Sequence, residues 1–217
     1  MIGFVVALDT EADGVIYKAE ITKKYTHCGK KIVEGKLFCQ DFVLIISGIG
    51  KVNAALATQF IADKYPLSYI VNFGSAGGIS GKTAPCEYYA IDKCCQYDFD
   101  LSALDDVPVG YIQDFDTVYF YPKTDKLSFL KKAGLASSDR FTEKSSDIAT
   151  VLSMDCPVFD MEGGAIAQVA TANGLPFYVF KGVTDVHGSK SDKNTFYENL
   201  RKVCDGFVGI LERMLKN

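Results

Sequence analysis

Four residues of this chain combine reactive side chains with positions just past apolar runs: Glu11, Ser75, Glu162 and Asp185. Glu11 follows the run at residues 2–8, Ser75 follows YIVNF, Glu162 follows PVFD, and Asp185 follows YVFKGVT. In α/β proteins, ligands gather at the carboxyl ends of strands. If these ends lie side by side, they form a pocket lined with carboxylates and backbone N–H groups. Carboxylates so placed can move protons to or from a substrate, or balance positive charge that builds up in it. Any one of the acids taken alone is served equally well by helix capping, since negative charge is favoured at a helix N-terminus. Asp160 keeps that capping role. The convergence of four such positions favours a site.

The elements that must position these residues alternate between apolar runs and helical spacing. Residues 2–8 read as a strand buried on both faces, and residues 32–39 and 42–47 as a hairpin around Gln40-Asp41. Gly48 and Gly50 permit a tight turn into a helix over 52–64, which Pro66 stops. Residues 69–73 form the next strand, followed by a glycine-rich turn over 74–78, and 87–91 form another. The stretch 94–121 is irregular, which in a compact domain marks a functional loop or an interface. Helices are expected over 125–133, 145–152, 163–173 and 192–215, and strands over 134–137, 157–161 and 175–183. In the last helix Phe196, Leu200, Val203, Phe207, Ile210 or Leu211, and Met214 recur every three or four residues, so one face docks on a core. Strands alternating with helices predict one α/β domain spanning 1–217.

Composition narrows the chemistry. A net charge of -4 without a basic run argues against nucleic acid as a partner. No segment approaches the ~20 apolar residues that span a bilayer. MIGFVVALDT lacks the basic flank and cleavage site of a signal peptide. The cysteines at 28, 39, 86, 94, 95, 156 and 204 are odd in number, with no CxxC pair and no metal-like spacing. They predict free, mostly buried thiols in a cytoplasmic protein. GIGKVN fails as a dinucleotide fingerprint because Asn53 replaces the third glycine and no acid follows about 20 residues on. It fails as a phosphate loop because Ile45 and Val52 occupy its glycine and Ser/Thr positions. His27 and His187 lack partners at metal-ligand spacing. The sequence therefore predicts neither a cofactor nor a metal.

SGIGKVNAA, NFGSAGG, FDMEGGAIA and GVTDVHG, in this order, resemble the 5'-methylthioadenosine/S-adenosylhomocysteine nucleosidases of the nucleoside phosphorylase superfamily. The resemblance runs nearly end to end. It implies a twisted mixed sheet wrapped by helices, a homodimer with the 97–121 loop near the partner's pocket, and hydrolysis of adenine thionucleosides without metal or cofactor. It assigns Asp185 as the acid at adenine N7, Glu11 as the base that activates water, and Glu162 as the ligand of the ribose hydroxyls. Ser75 would hydrogen-bond Asp185. Phe141 would stack on adenine, Met161 would pack beneath the sugar, and Leu8, Ile49 and Phe196 would line the pocket for the 5'-substituent. Ala76, Gly77 and Thr184 belong to the same substrate-binding set.

The chain departs from the family pattern at Gly163-Gly164, where Ala-Thr is common, and at Lys181, where arginine is common. Close helix–sheet packing is the reason expected for the two glycines. Three alternatives share the resemblance. A purine nucleoside phosphorylase would need phosphate, yet DTEAD after the first strand would repel that dianion, and only Arg140, Arg201 and Arg213 are available. A nucleoside-binding protein without catalysis would have little use for Glu11. A hydrolase for adenosine or a futalosine-type nucleoside would use the same acids.

Overall fold

The computed structural model describes residues 1–188 and 193–216. Runs without a polar face make strands that need cover on both sides, and such strands build the middle of the sheet. β1 (Ile2–Val6) is buried throughout and pairs in parallel with β4 (Gln40–Ile46) and β5 (Tyr69–Ile79). β9 (Phe177–His187) runs parallel to β5. With β2 (Glu20–His27), β3 (Lys30–Leu37), β6 (Tyr88–Gln96), β7 (Lys131–Ser137) and β8 (Val158–Asp160), the described residues form one mixed sheet of nine strands. Its order is β2-β3-β4-β1-β5-β8-β7-β6-β9, and the pairing of β9 with β5 closes the last five strands into a ring.

Helices cover both faces: α1 (Asp9–Lys18), α2 (Lys51–Lys64), α3 (Ser145–Ser153), α4 (Gly163–Ala172) and α5 (Lys193–Lys216). Adjacent strand residues point to opposite faces. Phe4 faces α5, while Val5 faces α2 and α4. On the α5 side, Phe73 and Phe180 stack at 5.5 Å, and Phe207 tilts against Phe73 at 5.3 Å. On the other side, the small residues Ala54, Ala57, Ala167 and Ala170 bring α2 and α4 close to the sheet. Among the described residues no helix is long and apolar enough to cross a membrane.

Several elements differ from expectation, each for a physical reason. Residues 74–78 are not a turn but the second half of β5, where the missing side chains admit neighbours. A Cβ on Gly77 would stand 2.1 Å from Phe159, and one on Gly78 would stand 2.1 Å from Thr83. Residues 125–133 are not a helix. A single 3-10 turn at Asp125–Leu127 leads into β7, whose first residues pair with β6. β6 runs on to Gln96, so the irregular stretch starts later than expected. α1 and β2 have no counterpart among the expected elements. α1 buries only Glu11, Ala12 and Val15, and β2 is an exposed, lysine-bearing edge, a form that discourages pairing with other chains. Asp192, expected to start the last helix, lies outside the described residues. All seven cysteines are free, but only Cys94, Cys95 and Cys156 are buried, while Cys28 and Cys39 are exposed.

Candidate active site

Glu11 builds the turn that leaves β1. Its Oε2 accepts the N–H groups of Ala7 and Leu8, both at 3.1 Å, which ties the carboxylate to the start of α1. Its Oε1 accepts the Ser75 N–H at 2.7 Å and the Ser75 hydroxyl at 2.8 Å. A carboxylate offers about four lone-pair positions, so these donors fill it. Of the four, only the Ser75 hydroxyl can rotate away. The expected Ser75–Asp185 hydrogen bond is therefore corrected: Ser75 serves Glu11. Gly74 makes room for this arrangement, because a Cβ there would lie 2.9 Å from Glu11 Oε1. Gly74→Ala should push the carboxylate aside and lower kcat by roughly 10-fold or more, as a displacement near 1 Å can. Unchanged steady-state kinetics in that variant would count against a positional role for Glu11.

Asp185 sits inside β9, not past its end, and pairs in register with Gly77 of β5 after a bulge at Ala76/Gly77. Thr184 Oγ1 donates to Asp185 Oδ1 at 2.7 Å, and the buried Asn199 of α5 donates to the Thr184 carbonyl at 2.9 Å. Burial pushes the Asp185 carboxyl above its ordinary value. The Thr184 bond opposes that rise and the charge of Glu143 adds to it.

β8 runs antiparallel to β5, with Phe159 opposite Gly77, so its carboxyl end meets the middle of β5. This reversal delivers Asp160, Met161 and Glu162 beside Ser75. Asp160 Oδ2 accepts the Gly163 N–H at 2.9 Å, which is the capping expected of it. It also accepts Lys181 Nζ at 2.8 Å, in an ion pair whose side chains are 2% and 1% exposed. Ser137 donates to Asp160 Oδ1 and accepts the Gly164 N–H at 2.7 Å. The glycines that follow Glu162 do serve close packing: a Cβ on Gly163 would meet Leu135 at 2.4 Å, and one on Gly164 the Cys95 carbonyl at 2.7 Å.

Glu162 Oε1 accepts the N–H of Gly50, at 2.8 Å, from the N-terminus of α2. Burial, with the charge of Asp160, pushes the Glu162 carboxyl up to about 7, against the opposing effects of Lys181 and the Gly50 bond. Lys181 is held above its ordinary value: burial lowers it, but Asp160, Glu162 and Glu11 more than compensate.

These elements enclose a cavity of about 220 Å³. Glu11, Glu162 and Asp185 line it, together with Ser75, Ala76 and Gly77 from β5 and Thr184 from β9. Leu8, Ile49, Phe141, Met161 and Phe196 supply apolar wall, and the structure thus brings every expected site residue to one cavity. Ile49 and Phe141 are 53% and 60% exposed, leaving apolar surface at the walls for a ligand to cover. Ala7, Arg140, Thr142, Phe159 and Asp160 line it as well without having been expected there. Arg140 and Thr142 flank Phe141 in SDRFTE, so adjacency to a site residue was the available signal. Arg140 is already engaged: it donates to both oxygens of Asp147, at 2.8 and 3.2 Å.

Over residues 1–216 the chain matches the phosphorylase superfamily. A 5'-methylthioadenosine/S-adenosylhomocysteine nucleosidase of Colwellia psychrerythraea is 30% identical over 98% of this chain and 94% of its own length. The solved structure of a Colwellia psychrerythraea nucleosidase of that name, in complex with adenine, superposes with a TM-score of 0.89 at 28% identity, covering 99% of this chain and 94% of that one. A futalosine hydrolase of Helicobacter pylori reaches the same TM-score at 20% identity, with 99% and 97% covered, a likeness of fold. The chain belongs to the phosphorylase superfamily and, within it, to the 5'-methylthioadenosine/S-adenosylhomocysteine nucleosidase family of purine N-glycosidases.

Proposed function

We propose that this protein hydrolyses 5'-methylthioadenosine and S-adenosylhomocysteine to adenine and the corresponding thioribose. Asp185 donates a proton to N7 as the C1'–N9 bond breaks, so the base leaves neutral and not as an anion. Glu162 accepts hydrogen bonds from the ribose hydroxyls, and its charge favours the oxocarbenium-like sugar. Water takes the position that the Ser75 hydroxyl occupies on Glu11 Oε1. It adds to C1' while its proton passes to Glu11. Phe141 stacks on adenine, Met161 packs beneath the sugar, and Leu8, Ile49 and Phe196 hold the 5'-group.

The observation that carries this reading is the anchoring of Glu11. Its carboxylate is fixed by backbone donors and faces the cavity, with one exchangeable partner. Phosphorolysis fits less well, since Glu11, Glu162 and Asp185 all line the cavity while Arg140 is paired to Asp147. The experiment is a chromatographic assay of free base from methylthioadenosine, S-adenosylhomocysteine, adenosine and futalosine. Fastest release from the two thionucleosides is expected; preference for futalosine would overturn the substrate assignment.

A pH dependence follows from Glu162. The sugar hydroxyls need its ionised form, so kcat/KM should rise with pH through a limb near 7. Asp185 sets an opposing limb, since loss of its proton removes the acid at N7, and burial moves that limb above the range of an exposed aspartate. Loss of the lower limb in Glu162→Gln, measured across a pH series, checks the assignment; its persistence would move the limb to another group.

The reading includes a cytoplasmic homodimer with the 97–121 loop near the partner's pocket. Leu104, 81% exposed on that loop, offers apolar surface for such a contact. Sedimentation should give twice the mass of one chain.

A further inference from the structure

A second depression, of about 400 Å³, adjoins the cavity along the wall given to the 5'-substituent: Ala7, Leu8 and Ile49 line both. Beyond these apolar residues its character changes to charged, with Asp9, Lys30 and Lys31 at its edge. We propose that this groove is a subsite for a zwitterionic amino-acid terminus on the 5'-substituent, with Lys30 taking the carboxylate and Asp9 the ammonium. The proposal rests on the nucleosidase reading above and adds the part of the substrate that the groove selects.

Two observations carry it. Lys30 is half-buried and donates to Asn53 Oδ1, a neutral amide, at 2.5 Å, and among the described residues it forms no ion pair. Its charge is thus uncompensated, and a carboxylate would supply a charge-assisted bond where an amide now stands.

Asp9 and Lys31 form the opposite pole. They pair at 2.7 Å with side chains 57% and 63% exposed. A pair so exposed is worth little, so its exchange for ligand groups is cheap. A cation, an anion and a spare cation in one groove match the paired charges of an α-amino acid, whereas a bare methylthio group would stop at Leu8 and Ile49. The thioether chain of S-adenosylhomocysteine bears such a terminus; methylthioadenosine shares its base, sugar and sulfur but lacks it.

The two substrates provide an internal comparison. The ratio of kcat/KM for S-adenosylhomocysteine to that for methylthioadenosine should fall by about tenfold in Lys30→Met, the size of one charge-assisted bond. Lys36→Met, which removes an exposed lysine on the same strand, should leave the ratio as it is. Lys30→Gln should repeat the fall if methionine disturbs folding, and the methylthioadenosine rate reports on folding in both. If wild type cleaves both nucleosides and neither Lys30 variant changes the ratio, the subsite is overturned and the nucleosidase reading stands. If wild type cleaves neither, both fall.

Discussion

Replacing Asp185 by asparagine lowers kcat for adenine release by about 10²–10⁴-fold, the usual contribution of a general acid. Binding of free adenine, followed by calorimetry, stays within a few-fold of wild type. Asparagine retains an oxygen that can accept the Thr184 hydroxyl, now 2.7 Å from Asp185 Oδ1, so the local geometry survives. What is lost is a proton that can be given to N7. Because burial raises the Asp185 pKa, the wild-type residue keeps that proton at a pH where an exposed aspartate would have released it. A kcat within threefold of wild type would remove Asp185 from the mechanism. Full binding without turnover in the wild type itself would favour a nucleoside-binding protein instead.

The second large effect is expected at Glu11, and it has two parts. Glu11→Gln loses the base, which should again cost about 10²–10⁴-fold in kcat. The variant also becomes less stable. An amide offers one oxygen in place of two, yet four donors point at this group: the N–H groups of Ala7, Leu8 and Ser75, and the Ser75 hydroxyl. Whichever way the amide is turned, its nitrogen faces two of them. Each donor left without an acceptor at this site, where Glu11 is 3% exposed, costs about 1–3 kcal/mol. The Ser75 hydroxyl can rotate to relieve its share, which the backbone donors cannot do. Urea unfolding should therefore show a lower midpoint for Glu11→Gln than for Asp185→Asn. Equal midpoints would mean that the carboxylate does not organise the turn from β1 into α1.

What could be read from the sequence depended on where the forces are recorded. β1, the first half of β5 and β9 were legible because strands buried on both faces need unbroken apolar runs. The docking face of α5 was legible because Val203, Phe207, Leu211 and Met214 hold a helical repeat and are fully buried. β2 was not, since an exposed edge carries no apolar requirement. α1 was hidden because Glu11, which looks like a surface acid in DTEAD, is buried by partners more than 60 residues away at Ser75. The glycines at 74–78 suggested a turn, but they are small because Glu11, Phe159 and Thr83 press against them. At the site, the residues named from the family motifs lie around one cavity. Their partners were the harder part. The register of β5 with β1 decides that Ser75 meets Glu11, and its registers with β8 and β9 decide that Lys181 meets Asp160. None of these registers is written in a local pattern.

The central claim is that water, activated at Glu11, adds to the sugar. It is tested most directly by running the reaction with methylthioadenosine in isotopically labelled water, with and without phosphate, and weighing the sugar product. Adenine release is expected at the same rate in both, with the label at the C1 hydroxyl of the thioribose. A reaction that stops without phosphate and yields the sugar 1-phosphate would contradict it.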